Sequence, residues 1–418
     1  MESRTLEEFN HWWIRGKVDP DLALPFKRDI YAGIKSAMKS RFILSITGLR
    51  RIGKSTILYQ LISDLIGDGV DATNILFFSF DEAQAKIGEV LDSYMGLQKK
   101  DPREERVYVF FDEIQKCTSW ENEIKKYYDL YPKMKFVISG SESLFIRRRT
   151  KETLAGRIFE FTLGTFAFAE YLRFHKVEEK DFKYEAKINP LFERFIEYGG
   201  FPETFRADGD KEFKEYIQAL VVDKIVYRDI PRLFKIDDPE FMRTMLEAIA
   251  TNPGMYVDYQ SLSRQFGKDR RVIKSYISYL KESFLIRMIG NYRKGSIPSL
   301  RKQKRAYPAD NAITRLYKAG IDSDFFGRMV ETAAINKLRA DAFWKDGREV
   351  DIVYEGRPIE VKYKESIKSE DFASLREFMS RFGQTSGVMV TKREERVADL
   401  KEGKIRMIPA RKFMLDGV

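Results

Sequence analysis

The chain has 418 residues, 43% hydrophobic and 33% charged, with a formal net charge of +10. That length exceeds what a single core sustains, so two or three domains are expected, and the apolar fraction excludes a disordered chain. A single cysteine, Cys117, and only two histidines, His11 and His175, exclude intramolecular disulfides, cysteine-cluster zinc sites and most histidine-based catalysis.

The basic excess fits a polyanionic partner such as nucleic acid, through counterion release, and fits a generally lysine-rich surface equally well. The first residues carry no apolar signal core, and no apolar stretch approaches the ~20 residues of a membrane span. A cytoplasmic protein with no membrane partner is expected.

After an N-terminal helical arm, short apolar runs alternate with helical stretches. The runs are Phe42–Thr47, Ile75–Phe80, Val107–Phe111, Phe136–Ser139 and Ile158–Leu163. Apolar runs of this length separated by helices predict an α/β fold with a parallel sheet covered on both faces. The first run leads into Gly48-Leu-Arg-Arg-Ile-Gly53-Lys54-Ser55 and then into a helix with apolar residues at 57, 58, 61, 62 and 65. Strand, glycine-rich loop and helix in that order predict a phosphate-binding loop of the Walker type. Gly48 and Gly53 permit the tight turn, and the loop's N–H groups and the helix N-terminus face the phosphates. Lys54 is expected on the outer phosphates and Ser55 on Mg²⁺, with Arg50, Arg51 and Thr56 completing the nucleotide-binding segment.

The third run ends in Asp112-Glu113. Asp112 is expected to hold the magnesium of a bound ATP, and Glu113 to polarise the attacking water. The fourth run ends in Ser139-Gly140-Ser141, where either serine could lie between the loop and Asp112. Among the downstream arginines 147, 148, 149 and 157, Arg157 is the expected arginine finger, serving its own chain or a neighbour in a homo-oligomer.

From Phe166 to about Asp238 the pattern is mostly helical, interrupted by the turn Gly199-Gly200-Phe201-Pro202-Glu203. Val257–Leu280 predicts a helix-turn-helix with Gly267 at the turn and Leu262, Phe266, Val272, Tyr276, Ile277 and Leu280 inside. Phe284–Ile289 follows as a wing strand, which makes this a winged helix. Arg270, Arg271 and Lys274 fall near its exposed face, as suits DNA binding, although such modules also serve as protein contacts. In the last part, Glu331 lies in a helix, Asp351 follows a hairpin, and Glu360 and Lys362 share one face of a strand because side chains repeat every second residue. This D…E-x-K pattern matches the PD-(D/E)XK nuclease superfamily, in which Glu331, Asp351 and Glu360 would hold Mg²⁺ or Mn²⁺ and Lys362 would orient or deprotonate water.

Taken together, Lys27-Arg28-Asp29, the loop at 48–55, Asp112-Glu113-Ile114-Gln115, Ser139-Gly140-Ser141, Ala155-Gly156-Arg157 and Gly199–Glu203 resemble archaeal and bacterial AAA-type ATPases over almost the whole chain. The resemblance implies four parts: a P-loop core with its arm over 1–165, a helical lid over 166–238, a winged helix and linker over 239–311, and a nuclease-like domain over 312–418. It implies Arg28 near the nucleotide base. Leu49 stands where such proteins often have proline, and Ser55 where many have threonine; neither change affects phosphate binding. The expected function is ATP hydrolysis coupled to action on DNA through the winged helix and a metal-dependent nuclease-like domain. The alternative is a regulatory ATPase whose later domains bind a protein partner without cleavage.

Overall fold

Apolar runs that lack alternation must be covered on both sides, and they form the centre of the first part of the chain. In the computed structural model, which describes residues 3–141, 153–295 and 303–417, five segments make one sheet: Ile43–Thr47 (β1), Ile75–Ser79 (β2), Val107–Asp112 (β3), Met134–Gly140 (β4) and Ile158–Thr162 (β5). The order is β2-β3-β4-β1-β5 and every pairing is parallel. Strands β1, β2 and β4 are buried at every position, whereas the edge strand β5 is partly exposed. Helices Lys54–Gly67, Ile87–Gln98 and Trp120–Leu130 connect the strands. The order sets the chemistry, because β4 lies between β1, which feeds the loop at 48–55, and β3, which ends in Asp112.

The N-terminal arm closes the other edge of this sheet. An edge strand leaves backbone donors and acceptors unpaired, and Asn10 satisfies both kinds on β2. Its Nδ2 donates to the Phe77 carbonyl (2.9 Å), and its Oδ1 accepts from the Phe77 N–H (2.6 Å). The indole N–H groups of Trp12 and Trp13 both donate to the Ile75 carbonyl.

The chain divides into two compact units, Met1–Gly164 and Thr165–Val418. The second begins with helices Phe168–Phe174 and Glu185–Tyr198. The turn that follows is built around a buried acid. Gly199 has φ +75°, and a Cβ there would come within 1.7 Å of Asp310 Oδ1. The Asp310 carboxylate accepts from the Gly200 N–H (3.1 Å) and the Thr165 hydroxyl (2.5 Å). Burial holds its pKa above the usual carboxylate range despite those donors.

Helices Tyr259–Phe266 and Arg270–Glu282 are joined through Gly267 at φ +63°, and Asp258 and Asp269 cap their N-termini. The buried face of the second helix is Ile273, Tyr276, Ile277 and Leu280. Val272, expected inside, is only partly buried: positions 273, 276, 277 and 280 complete the i, i+3, i+4, i+7 stripe, and 272 falls beside it. Phe266 is likewise only partly buried.

Strands Met255–Tyr256 (β6), Ile286–Asn291 (β7), Lys304–Pro308 (β8), Ala342–Asp346 (β9) and Arg348–Val350 (β10) form a sheet of order β10-β9-β7-β8-β6. Gly290 of β7 pairs in parallel with Ala342 of β9, so one sheet draws strands from both sides of the expected boundary at 311/312. Strands Ile352–Tyr354 (β11), Arg357–Lys362 (β12), Ser386–Thr391 (β13), Arg396–Leu400 (β14) and Gly403–Pro409 (β15) form a third sheet, order β11-β12-β13-β15-β14. Helix Ser323–Leu338 packs with these strands around a core that includes Met329, Ile335, Ile359 and Val390. No helix among the described residues is long and apolar enough to cross a membrane.

Candidate functional site

The loop after β1 takes its shape from three residues with positive φ: Gly48 (+151°), Arg51 (+61°) and Gly53 (+94°). At Gly48 the requirement is steric, since a Cβ would lie 2.2 Å from the Leu163 carbonyl oxygen. Gly53 precedes the first turn of the helix Lys54–Gly67, so the free N–H groups of that turn face the loop. Lys54 is buried, and its ammonium donates to the carbonyls of Gly48 (3.1 Å) and Leu49 (2.7 Å). It thus bends back over the loop at whose centre a phosphate would lie. Arg50 and Thr56 are half-buried, and Arg51 and Ser55 are exposed.

Arg28 serves the loop itself. Its guanidinium donates to the carbonyls of Ile52 (3.0 Å) and Gly164 (3.0 Å), bracing the loop from behind. Arg28 is expected near the nucleotide base, and what the structure shows is this contact with the loop, which the sequence did not reveal.

The two acids at the end of β3 have separate partners. Asp112 accepts from the Ser55 hydroxyl at Oδ2 (2.5 Å), and from the Ser139 hydroxyl and the Glu113 N–H at Oδ1. Burial, reinforced by the neighbouring Glu113 charge, pushes its carboxyl above the usual range, and the two serine hydroxyls oppose that shift. Glu113 turns away, with φ +50°, and its Oε2 accepts from the Ser141 hydroxyl (3.1 Å) and the Gln115 amide. The choice between Ser139 and Ser141 resolves into one serine for each acid. Gln115 has no functional role in the sequence reading; its buried amide also donates to Ser141 Oγ (3.1 Å). Its position two residues after a strand-end glutamate was the only available signal.

These groups fit a nucleotide and Mg²⁺. A hydroxyl and a carboxylate already meet at Ser55 and Asp112, and Lys54 is held by carbonyl oxygens in a position to exchange them for phosphate oxygens. Arg157 does not join them. The Ile43 N–H donates to its carbonyl (2.8 Å), at the start of β1, while the loop follows the end of that strand. Five residues of strand, roughly 16 Å, separate the two levels. Its guanidinium pairs with Asp129 (3.2 Å). Strand direction therefore places Arg157 away from its own chain's loop. Arg147, Arg148 and Arg149 lie outside the described residues.

In the second unit, the predicted acid–lysine set does come together, with an unpredicted member at its centre. Asp351, between β10 and β11, accepts from the Val361 N–H (2.9 Å), and Lys362 pairs with Glu360 (2.6 Å). Glu331 accepts from the Tyr307 hydroxyl (2.6 Å). Arg305 of β8 reaches Glu331 (3.1 Å), Glu349 (2.9 Å) and Asp351 (4.0 Å). Burial, and then the Asp351 charge, raises Glu331 to about 7 and Glu360 to about 8. Burial would lower Lys362, but the Glu360 and Asp351 carboxylates outweigh it and hold the ammonium protonated, which does not suit a general base. Divalent cations need several oxygen ligands at about 2.0–2.6 Å. Here a guanidinium stands among those oxygens, and no group of three or more His, Cys, Asp or Glu among the described residues is arranged to hold a metal. The expected metal set of Glu331, Asp351 and Glu360 does not fit a divalent ion.

Comparison with known proteins agrees with the first unit's geometry. Residues 40–172 match the model of an AAA domain, and residues 189–324 and 326–413 match two models described as domains of unknown function, DUF8612 and DUF4143. An uncharacterized protein of Haemophilus influenzae is 25% identical over 323 residues, covering 75% of this chain and 79% of that one. The uncharacterized protein MJ1544 of Methanocaldococcus jannaschii is 25% identical over 313 residues, 71% of this chain and 66% of that one. Among solved structures, the Thermotoga maritima RuvB Holliday junction branch migration motor aligns over 69% of this chain and 89% of its own, at 16% identity and a TM-score of 0.31, too slight a likeness to bear on activity. The AAA-domain match spans the glycine loop, both strand-end acids and both serines, and agrees with a P-loop NTPase-like fold for the first unit, which implies use of a nucleotide.

Proposed function

We propose that the chain hydrolyses ATP in its first unit and that this turnover governs the holding of duplex DNA by its second. The observation that carries the first half is the division of labour at the end of β3. Asp112 is gripped by Ser55 and Ser139, and Glu113 separately by Ser141 and Gln115. With ATP bound, the loop N–H groups and Lys54 take the phosphate oxygens, while Ser55 and Asp112 hold Mg²⁺. The ion supplies neutralisation of the phosphate charge. Glu113, kept off Asp112 by its own two donors, accepts the proton of the attacking water.

The test is steady-state ATP hydrolysis with a nucleotide-binding assay beside it. Glu113→Gln is expected to lower kcat by about 10²–10⁴-fold while ATP still binds. Absence of turnover in the wild-type chain, with or without DNA, would sink the ATPase reading.

The DNA half is supported by charge placement. Arg270, Arg271 and Lys274 are exposed on the helix Arg270–Glu282. Lys304 of β8 is pushed below the usual lysine range by burial and then by the positive charges of Lys281 and Lys274, so these ammonium groups share one surface. Such a surface gains from phosphate contacts and counterion release. Duplex binding measured by fluorescence anisotropy at low salt tests it. No affinity there would shift the reading to a regulatory ATPase whose second unit binds a protein partner. Cleavage belongs to neither version, because the acids expected to perform it already have cationic partners.

A further inference from the structure

We infer that Arg305 stands in for a divalent metal, so that the nuclease-like part of the second unit is a metal-free body that binds without cutting. The inference rests on how the guanidinium is seated. Its Nη2 lies 3.1 Å from Glu331, and its Nη1 lies 2.9 Å from Glu349 and 4.0 Å from Asp351 in ion-pair contact without a hydrogen bond. Nε donates to the Gly254 carbonyl (2.9 Å). The rings of Tyr307 and Phe343 lie 5.2 and 5.7 Å from its central carbon.

The seat is built for this group. Gly254 has φ +83°, and a Cβ there would fall 2.4 Å from Arg305 Nη2 and 3.0 Å from Tyr307 Oη. The glycine therefore leaves the room that the guanidinium fills. A loosely held surface arginine would impose no such condition on the backbone of a turn 51 residues away.

The cluster also supplies its own cations. Four acidic side chains, Glu331, Glu349, Asp351 and Glu360, share Arg305, Lys362 and Lys345, the last 3.3 Å from Glu349. Glu360 Oε2 is buried without a hydrogen-bond partner, whereas Glu331 and Asp351, the carboxylates through which a partly hydrated Mg²⁺ would bind, face the guanidinium. For a metal to enter between Glu331 and Asp351, Arg305 would have to give up both of these acids and keep only Glu349.

The experiment uses the full chain without nucleotide, so that the loop at 48–55 does not recruit metal through ATP, and titrates Mn²⁺ by electron paramagnetic resonance. The wild-type chain is expected to bind no Mn²⁺ at concentrations on the order of those used in nuclease assays. Arg305→Met, which keeps an unbranched apolar stem and removes the guanidinium, is expected to gain one Mn²⁺ and a rise in thermal midpoint on adding it. Both gains should vanish in Arg305→Met/Asp351→Asn. A folded Arg305→Met chain that binds no Mn²⁺ overturns the inference. So does wild-type Mn²⁺ binding that Glu331→Gln abolishes, or wild-type DNA cleavage that Lys362→Ala abolishes. Should Arg305→Met fail to fold, these last two wild-type measurements decide. Because Mn²⁺ binding needs neither ATP turnover nor DNA affinity, loss of the proposed function would leave that result standing, and the reverse also holds.

Discussion

Replacing Gln115 with leucine removes a buried amide of similar volume and leaves both acids in place. The amide donates to Glu113 and, at 3.1 Å, to Ser141, whose hydroxyl also donates to Glu113 at 3.1 Å. A hydrogen bond to a charged group contributes about 1.5–3 kcal/mol, and because Ser141 remains the lower end applies. At 1.36 kcal/mol per decade, about 1.5 kcal/mol of lost positioning corresponds to roughly a tenfold fall in kcat. ATP affinity should hold within about twofold, since Gln115 touches neither the loop nor Asp112. Ser141→Ala is expected to behave similarly. The double variant should lose less than the sum, because each residue holds the other as well as Glu113. Steady-state hydrolysis, nucleotide binding and a thermal denaturation control are required. An unchanged kcat in Gln115→Leu, or a loss confined to ATP affinity, would refute the assignment of Gln115 as the positioning partner of Glu113.

Gly48→Ala brings a Cβ to 2.2 Å from the Leu163 carbonyl. Overpacking of that kind costs about 1–3 kcal/mol, so calorimetry should show the first unit melting several degrees lower, with ATP binding lost. Lys135 is 1% exposed and donates to the carbonyls of Ala37, Ser40 and Phe42, and burial lowers its pKa to about 7. Its folded value lies below its unfolded one, so the unfolded chain holds the extra proton between about pH 7 and the ordinary lysine value of 10.5. Stability from this group therefore rises with pH across that window and is lowest below it. Urea melts of wild type and Lys135→Met should show a steeper pH slope for the wild type, and parallel slopes would count against a neutral buried lysine. Lys274→Ala should weaken duplex DNA binding evenly across sequences and reduce the salt slope by about one; an unchanged slope would place the DNA surface elsewhere.

The sequence by itself determined the fold of the first unit and the members of its site. The five apolar runs read as strands, the fifth forming the partly exposed edge, and Gly48, Gly53, Lys54, Ser55, Asp112 and Glu113 occupy fixed places relative to strand ends, so local chemistry was enough to find them. The helix-turn-helix at 259–282 was legible for the same reason, apart from the one-residue phase that put Ile273 inside in place of Val272. Partnerships between distant segments were decided only by the tertiary structure. Strand order put Ser139 on Asp112 and Ser141 on Glu113, and strand direction carried Arg157 away from its own loop. Asp310 came to lie against Gly199-Gly200, more than a hundred residues away in the chain. In the second unit the string Glu331, Asp351, Glu360 and Lys362 read as a metal site because a spacing pattern registers which acids converge and not what else arrives between them. Arg305 lies on a different sheet from Glu360, and its charge enters the cluster only when β7, β8 and β9 pair. A local pattern can nominate ligands, but whether a cation site is open depends on the electrostatics of every element packed around it.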